Sequence, residues 1–167
     1  RADTGDVSLP IDFAFECVDI AVSTGDVSSF ASAEQDVTIR TTTGDVLLKS
    51  LDTTAMALST STGDISIKNI DAGDINMSVS TGEITADCVN CRNLTTSGST
   101  GDLHLREVLV SEKVAIQRTT GDVIMDHCDA ASLTITTDTG DVIGTLLTAK
   151  EFVTETDTGN VEVPHTA

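Results

Sequence analysis

Aromatic and basic side chains are scarce in this chain of 167 residues. It has no Trp or Tyr and only four Phe, so it lacks the stacking surfaces that bases and sugar rings use. Nine Lys and Arg stand against 27 Asp and Glu, which gives a formal net charge of -18. A surface this acidic repels phosphate backbones, so we expect no nucleic-acid partner.

Long apolar runs and helical periodicity are missing as well. No apolar run reaches the roughly 18 residues of a membrane span, so we expect this segment to make no membrane contact of its own. Disorder is not expected either, because 39% of the residues are hydrophobic and disordered chains are poor in such residues. The absences therefore leave a folded, helix-poor domain.

An internal repeat dominates what is present. The tetrad Thr-Gly-Asp-Val, or a close variant of it, occurs nine times at intervals of 19 or 20 residues. Gly73 is out of phase with this repeat and is interpreted as a corner glycine. The repeats begin near Thr4, Thr24, Thr43, Thr62, Thr81, Thr100, Thr120, Thr139 and Thr158.

Within each repeat, apolar and polar residues alternate with a period of two, which predicts strands. One unit cannot bury its own apolar face, but stacked units can. We therefore predict an all-β parallel β-helix or β-solenoid over residues 1–167, with about eight coils of 19–20 residues and three short strands per coil. A sandwich of antiparallel hairpins would show variable loop lengths. A third inward apolar position is expected at Leu51, Ile70, Val89, Val108, Cys128 and Leu147.

The ends of the rod carry the unusual residues. Pro10 and Pro164 share one column in the first and last coils, where proline blocks strand addition. We expect the rings of Phe13, Phe15, Phe30 and Phe152 to cover the exposed ends of the core. Between the ends, that column predicts the stacked ion pairs Lys68–Asp87, Asp87–Arg106 and Arg106–Asp126.

The acid of each tetrad should form a column along one edge. Neighbouring carboxylates about 5 Å apart in water repel by roughly 0.8 kcal/mol, and the simplest interpretation is that each accepts turn N–H groups or a Thr hydroxyl. The alternative is a weak calcium ladder; no other metal, cofactor or catalytic residue is expected. The ladder residues would be Asp26, Asp45, Asp64, Glu83, Asp102, Asp122 and Asp141.

Threonines recur two residues before the tetrad, with the parity of the core, and we expect internal hydroxyl ladders at Thr41, Thr60, Thr137 and Thr156. Arg118 occupies the same position in a coil of 20 residues, so we expect a bulge there that turns its side chain outward. The outward Ser and Thr residues are interpreted as a solvated face, with ice or polysaccharide binding as the alternative.

The cysteines and histidines form no recognisable site. Cys88 and Cys91 make a single C-x-x-C, which is insufficient for zinc without a second pair. We expect free thiols, with Cys91 and Cys128 packed as small apolar groups; Cys17 lies four coils from Cys88. His104, His127 and His165 are expected on the surface, away from carboxylate pairs and cysteines.

Serial motifs such as Ser23-Thr24-Gly25-Asp26-Val27 and Ser61-Thr62-Gly63-Asp64-Ile65 resemble a bacterial β-strand-repeat family of unknown function that carries an adhesin label. The similarity covers essentially the whole chain, with Glu83 and Asn160 as departures. The resemblance implies a β-helix-like domain, often surface-exposed, and brings no catalytic residues with it.

We therefore expect a non-enzymatic structural or adhesive module outside the cytoplasm, one domain of a longer protein anchored through its other parts. A cytoplasmic location stays open. The ligand would be a surface protein or polysaccharide, and the domain a monomer or small oligomer. The alternatives are a self-assembling filament module, which the end prolines disfavour, and a carbohydrate-active β-helix enzyme, which would need long loops.

Overall fold

The computed structural model describes residues 1–11 and 13–163, without the side chains at positions 149 and 150. This part of the chain contains strands and no helix. No helix that could cross a membrane is therefore found among the described residues. The strands are β1 (Ala2–Thr4), β2 (Val7–Leu9), β3 (Ala14–Thr24), β4 (Val27–Ser29), β5 (Ser32–Thr43), β6 (Val46–Thr62), β7 (Ile65–Thr81), β8 (Ile84–Thr100), β9 (Leu103–Thr120), β10 (Val123–Thr139), β11 (Val142–Thr158) and β12 (Val161–Glu162).

Every pairing is parallel, and each coil pairs with the coil before and after it. The register follows the repeat, so that the apolar residue after each acid forms one continuous column. This arrangement satisfies the backbone groups of each coil with those of its neighbours. The predicted all-β parallel solenoid is confirmed.

The predicted three short strands per coil are joined into one long strand in the central coils. Strands β6, β7 and β8 each run for 17 residues, interrupted only at the Thr-Gly-Asp corner. A second corner needs just one residue in the left-handed region, so the ladder continues through it. These corner residues are Ser50, Asn69, Cys88, Glu107 and His127, with φ between 52° and 55°.

Glycine is required at the tetrad corner for two reasons. All nine tetrad glycines have φ between 122° and 154°, a region that residues with a Cβ avoid. From Gly25 onward, a Cβ would also lie 2.0–2.4 Å from the glycine carbonyl oxygen of the preceding coil. Gly73 is held by close approach alone, because a Cβ there would lie 2.2 Å from the Thr54 carbonyl oxygen.

The core is a stack of Val, Ile, Leu and Met inside the coils. The third inward position is confirmed at Leu51, Ile70, Val89, Val108 and Cys128, all buried. The expectation for Leu147 is wrong: Leu146 is inward and 2% exposed, whereas Leu147 is 40% exposed. A register shift follows Cys128↔Leu146 in the pairing of β10 with β11, so this coil is one residue out of step with the sequence alignment.

Aromatic side chains lie towards both ends, as expected. Phe15 and Phe152 pack against the core, and Phe13 stacks on Phe15 with ring centroids 6.1 Å apart. Phe13 itself is 56% exposed, so its ring covers little of the core. Pro10 is exposed directly after β2, and Pro164 lies outside the described residues.

The expected outward turn of Arg118 is wrong. The extra residue of this coil is accommodated at positions 111–112, between the pairs Val110↔Cys91 and Lys113↔Asn93. Arg118 therefore stays in register with Gly98 and Thr137. Its side chain points into the core and is 1% exposed.

Candidate functional site

The tetrad acids form the predicted column, and their geometry follows the hydrogen-bonded interpretation. Each Asp Oδ1 accepts the backbone N–H of the acid in the next coil, as Asp26 N–H donates to Asp6 at 3.0 Å. The same bond recurs along the rod at 2.8–2.9 Å, from Asp45, Asp64, Glu83, Asp122, Asp141 and Asn160 to the preceding Asp. These bonds hold carboxylates in a row despite their mutual repulsion.

Glu83 interrupts this column. Its longer side chain does not accept the Asp102 N–H but bonds instead to the Thr85 hydroxyl at 3.1 Å. Its Oε1 also lies 3.5 Å from Nε2 of His104, so His104 does have a carboxylate neighbour, contrary to the sequence-based expectation. The junction between the coils of Glu83 and Asp102 thus lacks one of the corner bonds.

The calcium-ladder alternative receives no preformed site. Among the described residues, no three His, Cys, Asp or Glu side chains converge on a position that could hold a metal ion. One oxygen of most column carboxylates is already used by a backbone N–H, whereas calcium prefers six to eight oxygens. Weak cation binding by Asp26, Asp45, Asp64, Glu83, Asp102, Asp122 and Asp141 stays a prediction.

A shallow groove on another face of the rod brings together side chains from several coils. We name it the Leu109 groove, and it consists of two adjoining cavities of about 410 and 530 Å³ that share Asn90 and Leu109. The first is also lined by Cys88, Glu107, His127 and Leu147. Leu109 and Leu147 are 43% and 40% exposed, which gives the groove two apolar patches between polar groups.

The polar groups at the first cavity are already paired. The Cys88 thiol donates to Oε2 of Glu107 at 3.2 Å, and Nδ1 of His127 lies 2.5 Å from Oδ1 of Asp126. The bond to Glu107, followed by desolvation, raises the pKa of Cys88 to about 11. The thiol is therefore protonated at neutral pH, which makes it a poor nucleophile. His127 lies in this groove rather than apart from cysteine and carboxylate groups, as the sequence predicted.

The second cavity carries an ion pair at its edge. Nε and Nη2 of Arg92 donate to the two carboxylate oxygens of Asp74 at 3.1 and 2.5 Å, and Nδ2 of Asn93 donates to the same Oδ1 at 2.8 Å. These bonds, led by that from Arg92, lower the pKa of Asp74. The groove thus offers apolar contact beside a fixed pair of opposite charges.

The predicted column of opposite charges is confirmed only around Asp87. Nζ of Lys68 donates to Oδ2 of Asp87 at 2.6 Å, and Arg106 donates to both of its oxygens at 2.9 Å. The Arg106–Asp126 pair is not formed, because the Arg106 guanidinium turns back to Asp87 and Asp126 contacts His127 instead. These bonds hold the pKa of Asp87 far below its usual range.

The inward threonines do not form the expected ladder of hydroxyls. Thr41, Thr60 and Thr156 donate to the corner glycine carbonyl of the preceding coil at 3.2–3.4 Å, so they tie strand to corner. The Thr137 hydroxyl has no hydrogen-bond partner. On the outward face, Ser97 donates to Ser78 at 3.2 Å.

The four cysteines are free. Cys91 and Cys128 are 8% and 5% exposed within the core, as predicted for small apolar groups. Cys88 points outward at its corner, away from the inward Cys91, so the C-x-x-C does not bring the two thiols together. Cys17 is exposed, and His165 lies outside the described residues.

Sequence reasoning missed the Leu109 groove. Its lining residues lie in neighbouring coils and belong to no motif, so alignment of the repeats alone gives them no significance. One signal was available: Leu109 and Leu147 are apolar residues next to an inward position already filled by Val108 and Leu146. An apolar residue without an inward place marks an exposed patch.

A regular parallel coil, a column of carboxylates and a shallow groove without loops together define a β-solenoid repeat protein. Residues 1–93 and 89–167 match the model of the Toastrack DUF4097 family, so the chain belongs to this family. No curated protein and no solved structure matches the chain. The family match supports a repeat domain of unknown function; the adhesin label that the sequence suggested stays a prediction.

Proposed function

We propose that this domain is a non-enzymatic, surface-associated structural or adhesive module that contacts its ligand through the Leu109 groove. The observation that carries the proposal is the exposure of Leu109 and Leu147 beside charged groups on an otherwise regular rod. Exposed apolar patches rimmed by polar residues mark interaction sites on soluble proteins.

Two further features support binding over catalysis. The central coils carry no insertions, and catalytic residues lie disproportionately on loops that a rigid scaffold positions. The one thiol in the groove is held protonated by its bond to Glu107, and His127 is engaged by Asp126. Neither group is poised as a nucleophile with an adjacent base.

The chemistry of the groove favours a protein ligand over a polysaccharide. Sugar rings are bound by flat aromatic platforms, and the chain has no Trp or Tyr. Aliphatic patches between an ion pair and single polar groups suit an extended polypeptide, whose side chains alternate in character. We further propose that the domain acts outside the cytoplasm and is anchored by other parts of its protein.

The test is an adhesion assay with beads that display the domain. We expect attachment to immobilised surface proteins that falls at least tenfold when Leu109→Glu and Leu147→Glu are combined. The matched control is the pair Thr38→Glu and Ala57→Glu, exposed positions on another face, which adds the same charge and should leave attachment unchanged. Equal loss in both variants would contradict the groove, and turnover of any polysaccharide in a panel would overturn the non-enzymatic assignment.

A further inference from the structure

The most unusual side chain in the core is Arg118. It is 1% exposed within strand β9, and none of Nε, Nη1 and Nη2 has a hydrogen-bond partner. A guanidinium carries five N–H donors and no acceptor, and it stays charged in proteins. A buried charge without a partner is strongly destabilising, so Arg118 requires a compensating group.

The neighbouring coil is shaped around this side chain. Gly98 is the register partner of Arg118, and a Cβ at Gly98 would lie 2.1 Å from Nη1. The corresponding position in the preceding coil is Val79, which a guanidinium could not approach in the same way. The absence of a side chain at Gly98 therefore provides the room in which the charged group lies.

Two hydroxyls near Arg118 are also without partners. Thr137 is its register partner in the next coil, and Thr96 lies two residues before Gly98; both are 1% exposed. Neither hydroxyl oxygen has a hydrogen-bond partner, although Thr41 and Thr60 in the same column as Thr137 bond to glycine carbonyls. The cluster therefore has several N–H and O–H donors and lacks an acceptor.

The protein does not supply the negative charge from within the core. Asp102 is the carboxylate whose charge acts on Arg118, but its Oδ1 already accepts the Asp122 N–H at 2.8 Å. The acidic surface column lies in solvent, where water screens its effect on a core group. A cation would be repelled by the guanidinium, and a large dianion would not fit between coils packed about 4.8 Å apart.

We propose that Arg118, Thr96 and Thr137 form an internal site for a small monovalent anion of the size of chloride, which is enclosed between neighbouring coils as the chain folds. The anion accepts hydrogen bonds from the guanidinium and the hydroxyls, and Gly98 leaves room for the cluster. The proposal concerns the core and does not depend on the ligand of the Leu109 groove.

The first test compares thermal unfolding in 100 mM sodium chloride with 100 mM sodium gluconate, whose anion is too large to enter. For a site well above its Kd, the Tm should be at least about 3 °C higher in chloride. Arg118→Met should abolish the difference between the salts. Arg40→Met, which removes an exposed arginine 64% accessible at its side chain, is the matched control and should keep it.

The second test measures binding directly, so that the proposal stays falsifiable if Arg118→Met does not fold. Wild-type protein refolded with radioactive chloride should retain one anion per chain after removal of free salt, and Thr137→Val should retain less. A wild-type chain that retains no anion and has equal Tm in the two salts would overturn the proposal. Equal loss of the chloride effect in Arg118→Met and Arg40→Met would overturn it as well.

Discussion

At the residue scale, the tetrad acid contributes to stability as a hydrogen-bond acceptor between coils. Seven backbone N–H groups donate to the carboxylate of the preceding coil, and this bond fixes the corner whatever the column binds. The length of the side chain matters, because only Asp reaches the N–H of the next coil. Glu83 shows this by its different contacts.

Glu83→Asp should therefore stabilise the protein. It would supply the acceptor that the Asp102 N–H lacks, while giving up only exposed contacts with Thr85 and His104. We expect the free energy of unfolding to rise by about 0.5–1.5 kcal/mol, measured by urea denaturation. Glu83→Gln keeps the length and is the control, with no gain expected. An Asp variant no more stable than wild type would show that the corner bond has no net value.

The sequence predicted the positions of most side chains but failed at Arg118 and Leu147. The repeat gives inward and outward parity directly, so the core and the buried Cys91 and Cys128 were predictable. Arg118 was expected to turn out because burial of an arginine is costly. The glycine at position 98, one coil earlier in the same column, was the signal that room exists for it.

At the scale of the strand, contacts between stacked coils distinguish one coil from the next. The tetrad is the same in every coil and cannot specify which coil follows which. Asp87 can, because it bonds to Lys68 on one side and to Arg106 on the other. The groove shows the limit of prediction at this scale, since its lining depends on which residues lie side by side across several coils.

Asp87→Asn should destabilise the protein in a pH-dependent manner. The folded pKa of Asp87 lies below its ordinary value of about 3.9, so its stabilisation is present above about pH 4 and is lost as the pH falls. We expect a loss of about 1–2 kcal/mol at pH 7, discounted because both cations are partly exposed.

The measurement is urea denaturation of both proteins between pH 3 and pH 7. The difference in unfolding free energy should be constant above about pH 5 and shrink below about pH 4. Asp52→Asn changes an exposed carboxylate and controls for the altered net charge. A difference between wild type and Asp87→Asn that grows towards acid pH would contradict the ion-pair interpretation.

At the scale of the whole molecule, the solenoid is a one-dimensional stack. Its long strands contact only the coils immediately before and after them, so stability is approximately a sum of coil and interface terms. The same property explains the composition. Narrow coils hold Val, Ile and Leu inside and leave Phe15 and Phe152 near the ends, and part of the charge of -18 is one acid repeated in every coil.

A stack of this kind should tolerate removal of one complete coil. Deletion of residues 64–82 joins Gly63 to Glu83 and keeps every column in register, because Ile84 then takes the place of Ile65 above Val46. We expect a folded protein with an unchanged β circular-dichroism spectrum per residue and a cooperative transition at lower Tm. Deletion of residues 64–73 removes about half a coil, moves inward residues to the wrong faces and should prevent folding. If both deletions unfold, the coils are not interchangeable units; if both fold, register between columns does not determine the structure.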